Sequence, residues 1–173
     1  MELFYKSLKI RKATTEDVFI LANWWNDGSI MAHAGFPNGL NISEDDIVQK
    51  LRENTVQRLI IELEGIAIGE MCYKEVEPTI FDIGIKICDF SKHELGYGRV
   101  LLSLLIKYLF IELRCSKVIL DTDLENRRAQ HVYELLGFKK VRIEKDSWKN
   151  QVGELRSVVY YELIENDFVD YAI

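Results

Sequence analysis

A single α/β (α+β) domain spanning residues 1–173, with a mixed, mostly antiparallel sheet of seven strands and about four helices on its faces, is what the sequence predicts. Three observations lead there. Strand-like and helix-like segments follow one another as β, α, α, β, β, β, α, β, α, β, β, and strands flanking single helices imply a mixed sheet with helices packed on it. The segment Gly96 to Leu113 is apolar on nearly every side, as a helix buried against a sheet must be. The length of 173 residues suits one domain, and 8 Phe, 8 Tyr and 3 Trp supply the apolar surface a core needs.

Each element has its own signal. Leu8 to Lys12 alternates apolar and basic residues, as a half-buried strand does. Thr14 or Thr15, followed by Glu16 and Asp17, marks the start of a helix that runs to Trp25 and stops before the turn residues Asn26-Asp27-Gly28. Ser29 to Asn41, rich in Gly, Pro and Asn, reads as a loop. Ser43 opens a second helix whose apolar face is Ile47, Val48 and Leu51. Leu59–Leu63, the turn Glu64-Gly65 and Ile66–Tyr73 read as a hairpin, and Thr79–Cys88 as the next strand. After the long apolar helix come the strand Lys117–Asp121 and a helix capped by Asn126 and ended at Gly137. Phe138–Glu144 and Leu155–Leu163 are the last two strands, with a polar loop from Asp146 to Gly153 between them.

Composition excludes several function classes. The formal net charge of -6 argues against sequence-independent nucleic-acid binding, which needs a basic face. Cys72, Cys88 and Cys115 are an odd, widely spaced set without a CxxC pair, so they read as free thiols and no metal site is expected. The start of the chain lacks the apolar run of a signal peptide, and Val100–Leu113 is too short and too interrupted to span a bilayer. No membrane partner and a cytoplasmic location are the expectation. The terminal strand and Phe168–Ile173 leave a monomer or a homodimer open.

Two segments carry chemistry. In His93-Glu94-Leu95-Gly96-Tyr97-Gly98-Arg99, between a strand and the buried helix, two glycines allow close backbone approach beside a helix N-terminus. That is a natural cradle for phosphate. It is no Walker A loop, since no Gly-Lys-Ser/Thr follows. About thirty residues on, Asn126-Arg127-Arg128-Ala129-Gln130-His131-Val132-Tyr133 places Asn126, Ala129 and Tyr133 on neighbouring helix faces before Gly137-Phe138 re-enters the sheet.

Together the two segments resemble the GNAT superfamily of acetyl-CoA-dependent N-acetyltransferases. The first is similar to its Q/R-x-x-G-x-G/A loop and the second to its N-x-x-A-x-x-x-Y-x-x-x-G-F element, and the order of elements agrees along almost the whole chain. The resemblance implies a V-shaped splay in the sheet and a pantetheine arm paired with the strand end Ile85, Ile87 and Cys88. It implies pyrophosphate held by His93, Leu95, Gly96, Tyr97, Gly98 and Arg99, a contact from Asn126, and Tyr133 beside the thioester sulfur as general acid. Two departures stand out: His93 replaces the usual Gln or Arg, and Glu94 brings a carboxylate near the pyrophosphate, so Glu94 is expected to face solvent with Lys92 and Arg99 offsetting it.

The acceptor's ammonium must lose a proton before it attacks. Glu70 and Asp82 are the candidate bases on adjacent strands, with Asp123 a third. The backbone N–H of Ile87 or Cys88 is a candidate for polarising the carbonyl. The resemblance puts the acceptor pocket between the first two helices. Trp24, Trp25, Asp27 and Phe36 are there the candidate substrate contacts, because aromatic faces with a carboxylate suit a cationic amine. Trp148, Tyr160 and Tyr161 are further candidates from the last strands. The Trp pair followed by Asn-Asp is similar to the branch that holds ribosomal-protein N-terminal and aminoglycoside acetyltransferases. The acceptor is then a small polyamine-like or antibiotic amine or a peptide N-terminus. A non-catalytic acyl-CoA sensor is the alternative reading.

Overall fold

The computed structural model describes all 173 residues. Its strands are β1 (Glu2–Tyr5), β2 (Leu8–Lys12), β3 (Gln57–Leu63), β4 (Ile66–Glu77), β5 (Ile80–Ile87), β6 (Lys117–Asp123), β7 (Lys139–Lys149) and β8 (Leu155–Leu163). Its helices are α1 (Val18–Asn26), α2 (Gly28–Met31), α3 (Glu44–Glu53), α4 (Tyr97–Ile111) and α5 (Arg127–Leu135). The strands form one sheet in the order β1-β2-β3-β4-β5-β6-β8-β7. Every neighbouring pair is antiparallel except β5 with β6, which run parallel because α4 crosses over between them. No helix is long and apolar enough to cross a membrane.

Local chemistry explains where the helices begin. Thr14 Oγ1 accepts from the Glu16 amide while Asp17 accepts from the Thr14 amide, a reciprocal cap on the turn that leads into α1. Arg11 ties that turn to the sheet through two bonds to Asp17, at 2.8 and 2.7 Å, and one to Glu62 at 2.7 Å. Ser43 caps α3 by accepting from the Asp46 amide at 3.1 Å.

Four expectations need correction. The sheet has eight strands, not seven, because Glu2–Tyr5 folds back on β2 as an edge strand that tucks Leu3 and Tyr5 against the core. There are five helices, because Asp27 accepts from the Ser29 amide and caps a short helix inside the stretch expected to be all loop. β7 continues to Lys149 past a register break between Glu144 and Trp148, which shortens the loop expected from Asp146 to Gly153. Lastly, β8 lies inside the sheet, so the terminal strand offers no free edge for pairing with a second copy. The tail that follows packs on its own chain, with Phe168 against Phe110 and the Tyr171 amide donating to Ser103.

The core lies on both faces. One face buries α4, through Leu101, Leu105, Ile106 and Leu109, against Leu59, Ile61, Met71, Val118 and Leu120. The other packs Leu21 and Trp25 of α1 and Ile47 of α3 on Ile60. Gly137 ends α5 at φ +94°, and a Cβ there would sit 1.9 Å from the Asp167 carbonyl oxygen. Gly137→Ala is therefore expected to cost at least ~2 kcal/mol, from a left-handed alanine and a backbone clash together. A lower urea midpoint at unchanged slope would show it.

Candidate active site

β5 and β6 pair only over Ile80–Asp82 with Lys117–Ile119. Past that point the strands part, and a cleft of about 1130 Å³ opens between Ile83–Ile87 on one arm and Asp121–Asp123 on the other. Its further walls are α5, the N-terminal end of α4, and Ser29, Ile30, His33 and Ala34 from α2 and the turn after it.

One end of the cleft has the chemistry to suit an anion. Gly96, at φ +79°, is the N-cap of the 15-residue α4, and no side chain caps the helix, so its first amides are free for a ligand. A Cβ at Gly98 would meet nothing within 4 Å, which leaves room beside those amides. Arg99 lies over the Tyr171 ring at 5.1 Å, while Glu94 is exposed, as expected, though neither Lys92 nor Arg99 forms an ion pair with it.

His93 plays a different part from the one expected. Nε2 lies 2.7 Å from the Ile87 carbonyl, and Nδ1 lies 2.8 Å from the Arg128 guanidinium. A carbonyl can only accept and a guanidinium can only donate, so Nε2 carries the hydrogen and Nδ1 is the acceptor. With both nitrogens engaged, His93 pins the loop to the end of β5. Arg128, on the first turn of α5, is the cation brought to the loop. The sequence offered no motif for it beyond its place two residues after Asn126.

On the opposite arm, Asn126 caps α5 by accepting from the Ala129 amide at 3.4 Å and donates to Thr122 Oγ1 at 3.2 Å. Tyr133 is 7% exposed and packs edgewise on Tyr161, 5.6 Å between centroids. Burial and the neighbouring charge of Asp121 push its phenol well above the ordinary tyrosine value, and no protein group hydrogen-bonds the hydroxyl.

The carboxylates fall into distinct surroundings. Glu70, 3% exposed on the cleft wall, accepts from Trp25 Nε1 at 2.8 Å and from Lys86 at 3.1 Å, with Arg58 3.9 Å from its second oxygen. Asp123 is held by Arg156 at 2.7 Å and by the Glu125 amide. Asp82 stands at the closed base, beside Lys74 at 3.6 Å, and does not reach the cleft wall. Asp121 does reach it. It is no candidate in the sequence, where it only ends the apolar run Val118–Leu120.

Several other candidates are not on the cleft. Cys88 is buried, and its amide donates to the Ile68 carbonyl at 2.8 Å, so that N–H is not free to polarise a substrate. Trp25 is a core residue, 3% exposed, with Arg58 stacked on it at 4.8 Å, and Trp24 packs beside it. Asp27 is spent on capping α2, and Phe36 does not line the cleft. Tyr161 is in the core, and Tyr160 donates to Glu144. Trp148 does line the cleft, with its ring against Gly35. Ile85, Ile87, Leu95 and Tyr97 line it too.

Residues 7–139 match the family model of the GNAT acetyltransferase domain. No curated protein matches the chain. Among solved structures, a spermidine N-acetyltransferase from Vibrio cholerae, in complex with CoA and spermine, superposes with a TM-score of 0.83 at 21% identity, over 94% of this chain and 98% of that one. The ribosomal-protein alpha-N acetyltransferase RimL, in complex with coenzyme A, superposes at 0.83 with 15% identity, over 95% and 98%. A GNAT-family acetyltransferase from Bacillus anthracis does so at 0.80 with 20% identity, over 96% and 99%. At these identities the likeness establishes a shared fold.

The three free thiols are all held in their neutral form. Burial, with Glu70 adding to it, pushes Cys88 up to about 12, and burial raises Cys72 and Cys115. At pH 8 about one Cys88 in ten thousand is then a thiolate. All three are expected to react slowly with a thiol reagent in the folded protein and within seconds in denaturant, as a colorimetric thiol titration would record.

Proposed function

Because the chain belongs to the family of GNAT acetyltransferases, we propose that it transfers an acetyl group from acetyl-CoA directly to a primary amine, either of a small polyamine- or aminoglycoside-like molecule or of a protein N-terminus. The observation that carries this reading is Tyr133, a phenol kept protonated by its surroundings, with no partner for its hydroxyl, on the wall of the cleft between β5 and β6.

The residues present suit coenzyme A. The free amides at the start of α4, with Arg128 beside them, would hold the pyrophosphate, and the unpaired edge of β5 from Ile85 to Ile87 would take the amides of the pantetheine arm as an added strand does. His93 would serve by fixing the loop that presents those amides. Asn126 would set the start of α5, and through it the position of Tyr133.

Acetyl-CoA supplies an acetyl thioester, and its departing sulfur needs a proton. Tyr133 is the proton donor: its phenol holds its proton at neutral pH and, placed beside the sulfur, passes it on as the C–S bond breaks while the amine's N–H proton replaces it. The complexes of the two similar enzymes with coenzyme A, one of them with spermine as well, support acetyl-CoA as the acetyl donor and an amine as the acceptor.

Free-thiol release from acetyl-CoA, followed with spermidine, kanamycin and an alanine-initiated tripeptide, tests the reading. Turnover with at least one amine is expected, and Tyr133→Phe should lower kcat by about 10²–10⁴-fold with coenzyme A affinity unchanged. Binding of coenzyme A without thiol release from any amine would instead make the protein a sensor. Full activity in Tyr133→Phe would remove the tyrosine from the chemistry.

A further inference from the structure

The transferase reading leaves open which group receives the amine and takes its proton. We propose that Asp121 does both. Four carboxylates line the cleft: Glu70, Glu94, Asp121 and Asp123. Asp123 is bonded by Arg156 and by a backbone amide. Glu70 keeps one oxygen without a hydrogen-bond partner, but it stands between Lys86 and Arg58, so its charge is already answered. Glu94 lies on the anion-binding loop, away from the point where the strands part. That leaves Asp121.

Its position fits the task. β6 stops pairing with β5 at Ile119, so Asp121 is the second residue past the parting of the strands. Val118 and Leu120 point into the core under α4, and alternation turns Asp121 to the opposite face, toward α1 and α2. From there its charge is felt by the Tyr133 phenol, which emerges from the α5 side. The two groups needed for the transfer thus approach one point from opposite faces of the sheet. The side chain is open to solvent yet walled by protein, and no donor hydrogen-bonds it.

The groups around it are Asp82 on β5, Lys74 on β4, Tyr133 on α5 and Tyr160 directly opposite on β8, with His33 on the turn that lines the same cleft. Lys74 pairs with Asp82, so the pair of aspartates has one cation between them. A cationic acceptor would supply the second. Partial desolvation by the cleft walls and the like charge of Asp82 raise the Asp121 carboxyl above the ordinary aspartate value, which makes it a better base than an aspartate at that ordinary value.

The step balances as follows. The ammonium gives one proton to Asp121 and becomes a nucleophile. As the N–C bond forms and the C–S bond breaks, Tyr133 protonates the sulfur, and the second N–H proton of the amine returns to Tyr133. Asp121 then releases its proton to water, so one proton leaves per acetyl group transferred.

This inference rests on the transferase reading, and one set of variants separates the two. With any amine that the wild type turns over, Asp121→Asn is expected to lower kcat/KM by about 100-fold or more, while coenzyme A binding and folding stay unchanged. The acidic limb of the pH–rate profile should disappear, because activity that rises as the carboxyl ionises has no carboxyl left. Calorimetric binding of the same amine to the coenzyme A complex should weaken about tenfold, and Asp121→Glu should recover part of both. An amine already neutral at the assay pH should lose less rate than an ammonium. Equal losses in Asp82→Asn or Glu70→Gln, or an acidic limb that survives in Asp121→Asn, would overturn the assignment. Failure of the wild type to turn over any amine would overturn the transferase reading, and this inference with it.

Discussion

The parallel ladder between β5 and β6 ends after three residue pairs, and the site depends on that ending. Each strand is held along its other edge by an antiparallel neighbour, β5 by β4 over its full length and β6 by β8 from Val118 to Asp123. The two arms are therefore rigid where they part. Beyond Asp82 the inner edge of β5 has backbone groups without a strand to bond, and a buried unpaired amide or carbonyl costs about 1–3 kcal/mol. An open wedge in a sheet is stable only where water or a ligand meets those groups. The cleft is thus a preformed gap in the hydrogen-bonding pattern rather than a pocket carved between side chains.

Charge is sorted along this gap although the chain as a whole carries -6. The uncapped start of α4 and Arg128 make one end positive, against which a pyrophosphate would bind. The parting point is acidic through Asp82 and Asp121. A ligand that is negative at one end and meets a cation at its reactive end suits this distribution. The arrangement also explains why His93 tolerates its departure from the family pattern: the cation is supplied by α5, and the histidine connects it to the strand.

Most of the fold was legible because its signals are local. Alternation in Leu8–Lys12, caps at Thr14, Ser43 and Asn126, and the stop at Gly137 each act within a few residues. What escaped is set by tertiary contact. Glu2–Tyr5 is a strand only because β2 offers it an edge, and β7 continues past Glu144 only because β8 runs alongside. The same division holds at the site. The anion loop and the Asn126–Tyr133 face could be read from spacing. Trp25 could not be told from a substrate contact, because its role as donor to Glu70 needs a partner 45 residues away. Asp121 and Arg128 had no motif and become visible only in the folded cleft, one past the parting of the strands and the other against His93.

The wedge and the start of α4 are together proposed as one binding site for coenzyme A. Thermal unfolding of the purified protein with acetyl-CoA, coenzyme A and ATP tests it most directly. A ligand that binds only the folded state at a hundredfold excess over its dissociation constant stabilises it by about 2.7 kcal/mol. A higher midpoint is expected with both coenzyme A forms, and no shift with ATP. No shift at millimolar coenzyme A, or an equal shift with ATP, would contradict it.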